Sequence, residues 1–87
     1  MDSQPLVLLV DDEEDLCTLM QMSLSRMGVN THIAHRIEDA KKALSSHVYD
    51  ACLTDLNLPD GNGLQLLDWI NQHCPNLPVA VLTAYGN

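Results

Sequence analysis

The stretch ACLTDLNLPDGNGLQLL, residues 51–67, decides how this chain is read. Ala51, Cys52 and Leu53 form an apolar run that reaches Thr54 and then a carboxylate, Asp55. Leu58-Pro59-Asp60-Gly61 is a turn signal in its own right, so Asp60 and the glycines read as turn chemistry. Asn62 follows as an N-cap, with Leu64, Leu67 and Ile70 on one helical face, before Asn71, His73 and Pro75 end the helix. Strand (Asp50 to Thr54), turn and helix therefore follow one another without a linker. The carboxylate at the strand end is the anomaly, because a desolvated charge needs a partner or a proton.

The same unit recurs on either side of this stretch. Leu6 to Val10 is continuously apolar, as in a parallel strand covered on both faces. After Asp11 and Asp12, the residues Leu16, Leu19, Met20, Leu24 and Met27 recur at helical spacing, with Glu13, Glu14 and Asp15 in the first turn and Gly28 after the last. A first helix over roughly Glu13 to Met27 results. Thr31 to Ala34 is a second strand, Ile37, Ala40, Ala43 and Leu44 mark a second helix ending near His47, and Leu77 to Thr83 is a fourth strand. Alternating strands and helices imply βαβ units with right-handed crossovers, hence an α/β, doubly wound parallel sheet with helices on both faces.

Composition sets the bounds. With 87 residues the chain is a single domain, 1–87, and its 46% hydrophobic content is that of a globular protein. Twelve acidic against 4 basic residues give a net charge of -8, which disfavours direct binding of nucleic acid or an anionic membrane. Cys17, Cys52 and Cys74 are odd in number and set in apolar or helical context, which reads as reduced packing residues. The N-terminus lacks a basic region, and its apolar run is too short for a leader or a span, so a cytoplasmic location is expected.

In such sheets ligands sit beyond the carboxyl ends of the strands. Asp11 and Asp12 leave the first strand, Asp55 the third and Thr83 the fourth, so carboxylates and a hydroxyl converge on one edge. Taken singly, Asp12 would be a helix cap and Thr83 a strand-end residue; the set carries the information. Carboxylates this close raise one another's pKa, and a divalent cation relieves the conflict. Hard oxygen donors partly open to water suit Mg2+, which bridges carboxylate to phosphoryl oxygen, and an aspartate can itself be the nucleophile.

Rival chemistries fail on particular positions. A calcium loop starting at Asp55 meets Pro59 at its fifth place and Asp60 where a glycine is required. An aspartyl phosphatase needs a second acid two residues on, where Asn57 stands. His32 and His35 would point to opposite faces of a strand and read as solvated surface, and Trp69 reads as packing.

Three motifs, VDDEEDL, LTDLNLPDGNGL and PVAVLTAYG, each following or forming an apolar strand, resemble in order and spacing the receiver domain of two-component response regulators, and LTAYG looks most like the enhancer-binding transcription activators. The resemblance covers essentially the whole chain and implies a flavodoxin-like fold. It implies that Asp55 is the phospho-acceptor, Asp12 the direct Mg2+ ligand, Asp11 its water-mediated partner and Asn57 a carbonyl donor to the metal. Thr83 would be the hydroxyl that meets the phosphoryl group and Ala84 the small residue that leaves room for it. The implied partner is a sensor histidine kinase, and the chain would be an acceptor domain rather than a turnover enzyme.

Receivers of the family continue into a further helix, strand and helix, with a lysine that pairs with the phosphoryl group; this sequence stops at Asn87, and Lys41 and Lys42 both lie on the second helix. A strand order of 2-1-3-4 is therefore expected. So is self-association through the uncovered fourth strand or the face of helix one. The alternative function is a receiver-like protein-binding module without phosphorylation.

Overall fold

The computed structural model describes residues 4–82. Its elements are β1 (Leu6–Val10), α1 (Glu14–Arg26), β2 (Asn30–Ala34), α2 (Ile37–Ser46), β3 (Ala51–Asp55), the short strands β4 (Asn57–Leu58) and β5 (Gly61–Asn62), α3 (Gly63–His73) and β6 (Val79–Leu82). The main sheet is four-stranded, parallel, in the order β2-β1-β3-β6, which is the expected 2-1-3-4 arrangement. β4 and β5 form a separate antiparallel hairpin that periodicity did not signal, since two-residue strands have no period to read.

The central strands explain the continuous apolar runs. Val7 to Val10 are all buried, and pleating sends Leu8 and Val10 into one layer with Ala34, Cys52, Ile37, Ala40, Leu44, Leu66 and Ile70. That layer lies under α2 and α3. Leu9 is fully buried outside that cluster, on the opposite face, where α1 packs against β2.

Two helices turn a different face inward from the one their apolar residues suggested. In α1 the only buried residue is Cys17, with Met20 and Leu24 half-buried, while Leu16, Leu19 and Met27 are exposed. In α3 the buried positions are Gly63, Leu66 and Ile70, and Leu64 is exposed. The phase of α3 is set at its first residue. Gly63 abuts the Asp55 carbonyl so closely that a Cβ would collide with it, so positions 63, 66 and 70 must face the sheet.

The ends are secured by identifiable devices. Gly28 has φ +81° with open space around it, so it is glycine for its backbone, and Gly28 and Val29 donate to the Ser25 and Leu24 carbonyls in a Schellman closure of α1. The Asn62 side chain caps α3 by accepting from the Leu64 amide at 2.8 Å. At the opposite end of the sheet, Asp50 accepts from the Leu6 amide and its own amide donates to the Leu6 carbonyl, both at 2.8 Å.

Candidate functional site

The carboxyl ends of β1 and β3 are adjacent because the two strands pair directly, Val10 opposite Thr54. The residue that follows each pair member is an aspartate, so the sheet register itself brings Asp11 and Asp55 side by side. Asp12 joins them, and one carboxylate oxygen from each of Asp11, Asp12 and Asp55 lies within 4.8 Å of the others. These three expected site residues are therefore brought together. Asp12 does not act as the helix cap that it would be if read alone: α1 starts after Glu13, which makes no side-chain cap.

Each carboxylate is held differently. Asp11 is buried, with 2% of its surface exposed, and its Oδ1 accepts from the Glu13 amide at 3.0 Å. Burial raises its pKa above the usual carboxylate value; the Glu13 hydrogen bond opposes that, and the charges of Asp55 and Asp12 raise it further. Asp55 is half-buried, and its Oδ1 accepts from the Leu56 amide at 2.7 Å and the Asn57 amide at 3.4 Å. Those bonds occupy one oxygen. Asp12 is exposed to solvent. Among the described residues the one ion pair is Arg36 with Asp39, so no basic side chain balances the cluster.

Asn57 stands two residues past Asp55, paired with Asn62 in the β4–β5 hairpin. Thr83 and Ala84 lie outside the described residues; Leu82, which precedes them, pairs with Asp55 across β3 and β6.

Sequence reasoning overlooked the supports of this edge. The Asp11 backbone is clamped on both sides: its amide donates to the Ala34 carbonyl at 3.0 Å, and its carbonyl accepts from Cys17 Sγ at 3.4 Å and from His35 Nδ1 at 2.9 Å. A carbonyl only accepts, so Nδ1 carries the proton. His35 is therefore a half-buried anchor and not solvated surface. Cys17 serves as a thiol donor, since burial, with the Asp11 and Asp12 charges adding to it, pushes its pKa up to about 11. Asp60 is more than turn chemistry: its carboxylate binds the start of α2, accepting from the Ile37 amide at 2.7 Å and the Glu38 amide at 3.0 Å. No sequence signal joins residues 22 or 23 apart in this way.

Buried and exposed carboxylates gathered at the strand ends of a 2-1-3-4 parallel sheet match a known family. The response regulator receiver domain model fits residues 7–87. This chain belongs to that family. The response regulator protein PilR of Pseudomonas aeruginosa is 44% identical over 85 residues, which are 98% of this chain and 19% of PilR. The DNA-binding transcriptional regulator NtrC of Proteus hauseri is 33% identical over 81 residues, 93% of this chain and 17% of NtrC. The receiver thus spans about a fifth of the length of these relatives. Among solved structures, the Thermotoga maritima response regulator TrrA in complex with Mg2+ and BeF superposes with a TM-score of 0.89 at 29% identity, covering 94% of this chain and 71% of that one. The non-phosphorylated HemR receiver domain of Leptospira biflexa gives 0.88 at 32% identity, covering 97% and 68%. No helix among the described residues of the receiver is long and apolar enough to cross a membrane.

Proposed function

We propose that this receiver accepts a phosphoryl group on Asp55 in an Mg2+-dependent reaction and so switches a transcriptional output carried elsewhere in its regulator. Supporting this is the convergence of Asp11, Asp12 and Asp55 within 4.8 Å, with no ion pair to any of the three among the described residues. Such a set is electrostatically incomplete, and a hard divalent cation completes it. Asp12 and Asp55 would hold the ion, Asp11 would act on it through water, and Asn57 would add its backbone carbonyl. When bound, Mg2+ supplies charge neutralisation between the acceptor carboxylate and the phosphoryl oxygens.

The protein's own part is to present a nucleophile. With Oδ1 tied to the Leu56 and Asn57 amides, the other oxygen of Asp55 would be the one that attacks phosphorus. An O–P bond forms to give the aspartyl phosphate, and the bond from phosphorus to the donor breaks, its electrons leaving with the donor. A phosphohistidine of a sensor histidine kinase, or a small acyl phosphate, is such a donor. Thr83 would meet the phosphoryl oxygens with its hydroxyl, and Ala84 would leave them space. Asp55 is consumed as an acceptor in this scheme, so the domain is not a turnover enzyme.

The resemblance to transcriptional regulators supports an output of the enhancer-binding type. Exposed Leu16, Leu19 and Met22 on α1 support self-association through that face. Incubation with acetyl phosphate and Mg2+ followed by intact-mass measurement tests the reaction. One added phosphoryl group is expected, absent in Asp55→Asn and absent when EDTA replaces Mg2+; addition that persists in Asp55→Asn would reject the assignment.

A further inference from the structure

Asp60 sits at the tip of the β4–β5 hairpin, five residues past the acceptor, yet its bonds go to another helix. Arg36, the N-cap residue of α2, makes no side-chain cap, and the two oxygens of Asp60 take the Ile37 and Glu38 amides instead. A carboxylate there is favoured both as a hydrogen-bond acceptor and by the helix dipole.

The hairpin between Asp55 and Asp60 has little slack. The Leu56 and Asn57 amides grip the Asp55 carboxylate, Asn57 pairs with Asn62, Leu58 pairs with Gly61, and the Gly63 amide returns to the Leu56 carbonyl at 2.7 Å. Leu58 is buried in the same cluster as Ile37. Gly61, at φ +154°, lies so close to Ile37 that an added Cβ would stand 2.9 Å from Cδ1. Below it, Gly63 has no room against the Asp55 carbonyl. A shift at either end of this segment must therefore appear at the other.

We propose that Asp60 is a positioning residue for Asp55: by fastening the hairpin to the N-terminus of α2, it fixes the Leu56–Asn57 amides that orient the acceptor carboxylate. The inference rests on the Mg2+ site described above. Because coupling between two sites is reciprocal, filling the Asp11, Asp12 and Asp55 site must also change the environment of the Ile37 and Glu38 amides.

Calorimetric titration of Mg2+ into the wild-type chain, Asp60→Ala, Asp60→Asn and Gly28→Ala tests it, with amide NMR of Ile37 and Glu38 recorded in parallel. Asp60→Ala is expected to weaken Mg2+ binding by about five- to tenfold, at the low end of typical coupling. Asp60→Asn, which keeps one acceptor oxygen, should recover part of the loss. Gly28→Ala strains the far end of α1 and serves as a control for lost stability, so its affinity should stay at the wild-type value. In the wild type the Ile37 and Glu38 amides should shift with Mg2+, and in Asp60→Ala they should not. Equal affinity in wild type and Asp60→Ala, or equal weakening in Gly28→Ala, would overturn the positioning role while leaving the ion site intact. A wild-type chain that binds no Mg2+ would overturn the site reading and this inference together.

Discussion

Asp11 and Asp60 are carboxylates in one small domain whose pKa values move in opposite directions. Burial leads the rise at Asp11, and a carboxyl with a raised folded pKa contributes stability that is present below its unfolded pKa and lost as pH rises through the folded one. At neutral pH without a divalent ion its charge is therefore a net cost. Asp11→Asn keeps an oxygen for the Glu13 amide and removes that charge, so it is expected to raise Tm by a few degrees at pH 7 in EDTA; calorimetric scanning checks it, and a lower Tm would contradict it. At Asp60 the hydrogen bond from the Ile37 amide leads the lowering, with that from Glu38 adding to it. Its contribution is present above the unfolded carboxylate pKa and lost as pH falls through the folded value, so Asp60→Asn should flatten the acid limb of a Tm-against-pH curve. Asp11, Asp12 and Asp55 were legible in the sequence because each closely follows an apolar run, and parallel pairing does the rest. Asp60 and His35 were not, because their partners, the α2 amides and the Asp11 carbonyl, are brought near only by the fold.

Caps and buried faces hold the helices in place. Asn62→Ala removes the acceptor for the Leu64 amide and should cost about 1 kcal/mol in urea unfolding, the usual value of an N-cap. Leu66→Ala empties a fully buried position between α3 and the sheet, for which a loss of about 2–5 kcal/mol is expected, whereas Leu64→Ala at the exposed neighbour should cost well under 1 kcal/mol. That contrast separates the observed face of α3 from the one its leucines suggested. Leu64, Leu66 and Leu67 offer more apolar positions than one face can use, and the choice is made by the contact of Gly63 with the Asp55 carbonyl. In α1 the apolar stripe is equally legible, but the sheet takes only Met20 and Leu24 from it and adds Cys17, which lies outside it. Helix and strand spans were readable because they rest on local periodicity and on Gly28 and Asn62 as end signals. Helix phase is a tertiary property.

For the whole molecule, the order 2-1-3-4 follows from right-handed crossovers, and it turns four separate strand ends into one edge. The exposed apolar residues of α1, with Leu19 at 62% and Met22 at 51%, belong to a chain whose formal net charge is -8. Self-association through that face should therefore strengthen as salt screens the repulsion, which light scattering across a salt series measures; a monomer at every concentration and salt would contradict it. Carboxylates at the ends of two separate strands are thus proposed to act as a single ion site around Asp55. Calorimetric titration of Mg2+ into the wild-type chain and into Asp12→Ala decides it: saturable binding in the first that is lost or greatly weakened in the second is the expected result, and equal affinity in both would rule that site out.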